Sequence, residues 1–205
     1  VWETFNAGNA KLTVKGIPAH PMSSKGVMVN PTLVVHDFLN MLDRAATPEC
    51  TEGREGFIVV KGIQSNPSKA VLTMKVRDHN RKLYEEKKNL LRAAAEFLRV
   101  RHPRAGIELE LSDSYANIAD AVTNENRRGI DCLYQALEET GVEAKTKAMR
   151  GGTDGSYLSV KGVLTPNYFT GAHNFHSNCE FLPMSSWEKS LGVTLKLMEI
   201  VARGE

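Results

Sequence analysis

Residues 171–181 read GAHNFHSNCEF: two histidines stand three apart, and a glutamate follows the second by four. Imidazoles and carboxylates hold catalytic zinc, so His173, His176 and Glu180 raise the chemistry of a metal centre. His-x-x-His on an irregular stretch is less specific than an i, i+4 pair on a helix. A loop histidine bonded to backbone reads the same way. A catalytic zinc takes about three protein ligands and a water. No nearby cluster of His, Cys or Asp completes that set; Cys179 is close, but would leave it short.

A second candidate is RGGTDGS, residues 150–156. Backbone N–H groups at a helix N-terminus can hold an anion such as a carboxylate. Arg150 just ahead of Gly151 and Gly152 would add two parallel hydrogen bonds. An ordinary strand-to-helix turn that needs glycine for backbone freedom fits equally, and Asp154 could be an acid or a helix cap. A third candidate is His20 in GIPAHPMSSKGVMVNP. Pro21 confines its predecessor to extended geometry, which presents the imidazole outward, although many exposed loop histidines are inert. Arg77 has a plain reading as a solvated residue on a polar strand face, and Asn117 as a turn residue in SDSYAN.

These residues need a scaffold. The 205 residues suit one large domain or two small ones. Hydrophobic content of 41% allows a core, and a net charge of +2 gives no reason to expect nucleic acid. No stretch approaches the roughly 20 apolar residues of a membrane span. Three widely spaced cysteines favour a reducing, cytoplasmic compartment. The chain begins with Val1 rather than an initiator methionine, which is expected if it was cut from something longer.

NAKLTVKG alternates as a half-buried strand. NPTLVVHDFLNMLDRA predicts a helix capped by Asn30, with Pro31 in its first turn and Val34, Phe38 and Met41 or Leu42 as its stripe. The β-rich runs 57–63 and 69–78 are joined by the turn QSNPS. A long helix follows, capped by Asn80 and ended before Pro103, with Leu83, Leu90, Ala94 and Phe97 as its apolar face. GIELELSDSY alternates again, with Ile107, Leu109 and Leu111 inward. The order βαββαβ predicts an α+β, ferredoxin-like domain: an antiparallel sheet with two helices on one face. Many RNA-binding domains share that plan, but the outward Val71, Thr73, Lys75 and Arg77 lack the aromatics that stack bases.

After Tyr115 the pattern changes. A helix ended by Gly141, a short strand in AKTKAM, a glycine turn entering a helix capped by Thr153 or Asp154, a short strand in VLTPNYF and a closing helix alternate as in an α/β layer. The closing helix carries Trp187, Leu191, Leu195 and Met198 on one stripe.

One resemblance joins these pieces. ETFNA, AHPMSSKGVMVNP, RDHNR, DSYAN, RGGTDGSYLSVKG and TPNYFTGAHNFHSNCEF are similar, in this order, to motifs of the M20 family of dizinc peptidases, in particular its aminopeptidases that act on tripeptides. The resemblance implies an α/β zinc-peptidase catalytic domain interrupted by a ferredoxin-like lid that also forms a homodimer. Residues 1–8 would be a hinge, 9–115 the lid and 116–205 the C-terminal part of the catalytic domain. It implies two zinc ions, with His176 opening the His-x-x-x-Glu motif as a ligand of one. The other ligands and the general-base glutamate would lie upstream of Val1, so the chain alone would be inactive. Small peptides would be held by positions matching Arg77, Asn117, Arg150, Gly151 and Gly152. His20 would stabilise the oxyanion, reaching across the dimer. Met22 stands where the family more usually has glycine. The resemblance also implies that the apolar faces of helices 125–140 and 185–203 lack a cover within this chain. A competing expectation is a non-catalytic dimerising or peptide-binding module derived from the same family.

Overall fold

The computed structural model describes residues 1–204 and divides into two compact units. One, the sheet unit, comprises Phe5–Asn117 with Arg150–Gly152; the other, the helical unit, comprises Val1–Thr4, Ile118–Met149 and the chain from Thr153 on.

In the sheet unit four strands, β1 (Asn6–Lys15), β2 (Phe57–Ser65), β3 (Lys69–Asp78) and β4 (Gly106–Tyr115), form an antiparallel sheet in the order β2-β3-β1-β4. Helices α1 (Pro31–Asn40) and α2 (Arg81–Arg101) complete the βαββαβ order, so the fold is ferredoxin-like. Period-2 alternation brings Leu12, Val14, Ala70, Leu72, Met74 and Val76 onto one face, where Val34, Val35 and Phe38 of α1 and Leu91, Ala95 and Leu98 of α2 cover them. Burying each large apolar side chain contributes about 1.5–3 kcal/mol, which makes this face the main source of the unit's stability. Both helices start on a side-chain cap. Asn30 Oδ1 accepts from Thr32 N–H at 3.0 Å, and Asn80 Oδ1 from Lys82 and Leu83 N–H at 2.9 and 3.1 Å.

The packed stripe of α2 differs from the expected one. Leu83, Leu90 and Phe97 are 45%, 44% and 53% exposed, and of the expected set only Ala94 is buried. The buried line is Tyr84, Lys88, Leu91, Ala95 and Leu98. Two of these look polar in a sequence, and both have partners below the helix. The Tyr84 hydroxyl and the Lys88 ammonium both donate to Asp113 Oδ1, at 2.5 and 2.9 Å. Hydrogen-bonded polar groups can be buried at little cost, and here the sheet packs against that side of the helix.

The helical unit contains α3 (Arg128–Glu139), α4 (Asp154–Val160) and α5 (Met184–Arg203). Gly141, at φ 67°, ends α3. Thr153 rather than Asp154 caps α4, in a capping box with Ser156. The expected strands at 144–149 and 163–169 do not form. Met149 N–H reaches Glu3 O at 2.9 Å and Asn167 N–H reaches Val1 O at 2.8 Å, but these isolated bonds do not make a ladder. The apolar faces of α3 and α5 are not both uncovered, as had been expected. They meet through Leu133, Ala136 and Leu137 against Val193 and Ile200. The predicted stripe Trp187, Leu191, Leu195 and Met198 is the exposed side of α5.

Candidate functional site

His20 follows β1 and caps a short 3-10 turn, Pro21–Ser23. Its backbone is extended (φ −65°, ψ 136°), as Pro21 requires. Nδ1 accepts the Met22 N–H at 3.2 Å, and the ring is exposed. A neutral imidazole that accepts at Nδ1 carries its proton on Nε2. His20 therefore offers an N–H donor to solvent from a ring oriented by its own turn.

Arg150, Gly151 and Gly152 belong to the sheet unit although their chain neighbours do not. The Gly151 carbonyl accepts Phe5 N–H at 3.0 Å. Gly152 lies under the Tyr115 ring, where a Cβ would collide with it, so only glycine fits. The Arg150 guanidinium faces inward: Nη2 donates to Thr51 Oγ1 at 2.7 Å and Nη1 to Glu55 O at 2.8 Å. Arg77, expected as a solvated side chain, is half-buried. It donates to Gly8 O at 3.1 Å and Val76 O at 2.9 Å, with its guanidinium over Tyr115. Asn117 is 3% exposed, and its amide donates to His79 O at 3.0 Å while its N–H meets Asn6 Oδ1 at 3.2 Å.

These partners were not singled out in the sequence. Asn6 also donates to His79 O, at 3.2 Å, and the Phe5 and His79 rings meet at a 46° tilt with centroids 4.2 Å apart. The signal was present in ETFNA and RDHNR, two of the motifs that carry the resemblance, but neither spells a recognisable chemistry.

His176 is in the helical unit, exposed and at φ 65°, a left-handed conformation uncommon outside glycine. Its N–H donates to Glu180 Oε2 at 3.0 Å, so the carboxylate of the His-x-x-x-Glu motif holds the histidine's backbone rather than its ring. His173 turns elsewhere: it bridges Phe181 through backbone bonds and stacks on that ring at 5.1 Å. Among the described residues no three His, Cys, Asp or Glu side chains group around a possible metal position. One imidazole does not amount to a zinc pair, so the residues present do not by themselves fit that cofactor.

The ferredoxin-like sheet unit, with an exposed histidine after its first strand, is the part of the chain that a family profile matches. The chain belongs to the M20 peptidases: the family profile of the peptidase dimerisation domain matches residues 2–104. A peptidase T-like protein of Rhizobium meliloti is 45% identical over 202 residues, 98% of this chain and 49% of the relative. Peptidase T of Parabacteroides distasonis is 41% identical over 98% of this chain and 49% of its own. The chain thus spans about half the length of the curated relatives it matches. Among solved structures, aminopeptidase PepT of Bacillus cereus superposes with a TM-score of 0.81 at 13% identity, over 98% of this chain and 53% of that one. A Bacillus subtilis protein described as a dinuclear metal-binding peptidase of the M20 family gives 0.68 at 15%, over 97% and 50%. At those identities the structures establish the fold alone. No helix among the described residues is long and apolar enough to cross a membrane.

Proposed function

We propose that this chain carries the lid, residues 9–115, and part of the catalytic domain, residues 116–205, of a cytoplasmic zinc aminopeptidase that releases the N-terminal residue from tripeptides. The observation that carries the reading is His20. Its Nδ1 is occupied by the Met22 N–H, so its exposed Nε2–H is the atom that would donate to a scissile carbonyl as negative charge gathers on the oxygen. Gly151 has open space where a side chain would stand, so a peptide backbone would approach the turn there, with Gly152 seated under Tyr115 behind it; His176 is the residue through which the chain would reach a metal. Arg77 and Asn117 would act from behind, holding the strand ends. The names of the peptidase T relatives support a peptidase; the tripeptide substrate is carried by the motif resemblance.

The partner in this reading is a second copy. Strand β2 is an outer strand of the sheet with one edge unpaired. Val60, 40% exposed, and the outward stripe Leu83, Leu90 and Phe97 add apolar surface to the unit. Light scattering of the concentrated chain tests this; a strictly monomeric mass would count against pairing through β2.

The test of the chemistry is His20→Ala in the intact peptidase. Loss of one oxyanion donor lowers kcat on the order of a hundredfold, with an unchanged melting temperature because the side chain is exposed. An unchanged kcat would remove His20 from the mechanism.

A further inference from the structure

The loop Thr51–Gly56, TEGREG, runs into β2 and exposes charged Glu52, Arg54 and Glu55. It buries little of its own, yet several of its acceptors are bonded by side chains from far along the chain. Arg150 Nη1 donates to Glu55 O at 2.8 Å and to Gly53 O at 3.4 Å, and Nη2 to Thr51 Oγ1 at 2.7 Å. The Arg54 carbonyl lies 3.4 Å from His79 Nδ1. Left-handed Gly53, at φ 52°, makes the turn that aims these groups the same way.

The guanidinium is also enclosed by rings. Its carbon lies 5.4 Å from the Phe5 centroid and 5.2 Å from that of Phe57, and these two rings meet edge to face at 5.5 Å. Phe5 is fully buried. To reach a ligand, Arg150 would have to leave three hydrogen bonds and two aromatic faces together. A planar fork with several donors suits this place; the compact ammonium of lysine does not.

We infer that Arg150 is a positioning residue: it fastens the loop 51–56 to the glycine turn 151–152 and to the start of β1, and it does not meet the substrate's carboxylate. The Gly151 carbonyl bonded to Phe5 N–H is the second half of the fastening. The loop, the turn and Phe5, the residue just before β1, are then one mechanical piece. The fastening goes beyond the peptidase reading and does not rest on it, because every partner lies in the chain itself; only the absence of contact with the substrate's carboxylate rests on that reading.

Hydrogen exchange on the whole chain tests it, with two reporters: Glu55 N–H, bonded to Glu52 O at 2.9 Å, and Phe5 N–H. Arg150→Ala is expected to speed both at least tenfold while the amides of β3 keep their protection. Arg150→Lys should not restore them, whereas millimolar methylguanidinium added to Arg150→Ala should. Thr51→Val, which removes one acceptor in the loop, should speed the distant Phe5 amide. If Arg150→Ala unfolds the whole unit, the lysine and valine variants decide by the same reporters. Unchanged exchange at Glu55 and Phe5 in the variants that fold would overturn the inference. So would faster exchange at Glu55 in the unsubstituted chain on adding millimolar trialanine, since a carboxylate would then be drawing Arg150 off the loop.

Discussion

The two units treat their apolar residues differently. The sheet unit closes: both helices lie on one face, and Leu12, Leu72, Leu91 and Leu98 are all fully buried. The helical unit buries a smaller cluster around Ala136, Val193 and Ile200 and leaves Trp187, Leu191, Leu195 and Met198 at 44–64% exposure. Both helices of interest, α2 and α5, carry two candidate stripes; only the available neighbours determine which one packs. A βαββαβ order supplies those neighbours from within itself. Three helices without a sheet supply one face only.

The sharpest way to break this contrast is the centre of β3. Leu72→Ala should cost about 2–5 kcal/mol, the range for deleting a fully buried leucine side chain. Urea unfolding followed by tryptophan-independent circular dichroism should show the sheet unit's midpoint fall. A loss below about 1 kcal/mol would mean that the sheet face is not the unit's main support.

A smaller effect comes from the polar pair beneath α2. Burial pushes the Tyr84 hydroxyl well above its usual range, and the Asp113 carboxylate beside it adds to the shift. Burial alone would raise Asp113, but the Tyr84 hydroxyl and the Lys88 ammonium more than offset it and hold that carboxyl below the usual range. The tyrosine's contribution is full below about pH 10, its ordinary pKa, and is lost as pH rises from there toward its raised native value. The aspartate's is full above about pH 4 and is lost as pH falls from there through its depressed value. Melting temperature against pH should therefore fall on both limbs. Tyr84→Phe should flatten the alkaline limb and Asp113→Asn the acid one; limbs that survive both substitutions would show that the pair is irrelevant to stability.

The smallest effect is expected on the open side of α5. Leu191→Ser should change stability by no more than about 0.5 kcal/mol in this chain, as for other exposed positions. A loss of several kcal/mol would show that something covers that stripe.

The sheet unit was legible because its signals are local. Asn30 and Asn80 stand directly before helical periodicity, and Ala70, Leu72, Met74 and Val76 alternate without interruption. The stripe of α2 was not legible, because Tyr84 and Lys88 are acceptable inside only with Asp113 beneath them, 25 residues away or more. The strands after Tyr115 were misread for a related reason: a short β-prone run becomes a strand only beside a partner strand, and 144–149 and 163–169 meet only the short N-terminal segment, at Glu3 and Val1. At the candidate site, the exposure of His20 followed from Pro21. The placement of Arg150 did not, since two of its acceptors are carbonyls of residues 53 and 55, which leave no mark in a sequence, and the third is the Thr51 hydroxyl, 99 residues away.

In the register of β1 against β4, Ala7 stands opposite Tyr115. Residues paired across antiparallel strands lie about 5 Å apart, so a segment of more than a hundred residues leaves the chain and returns at nearly one point. To a host chain such a segment is a cassette. It can be inserted at a surface turn, enlarged, exchanged with a relative's or removed, and the host's ends need bridge only the width of a strand pair. Replacing Ala7–Tyr115 by a two-residue Asn-Gly turn would require no wider rejoining than that.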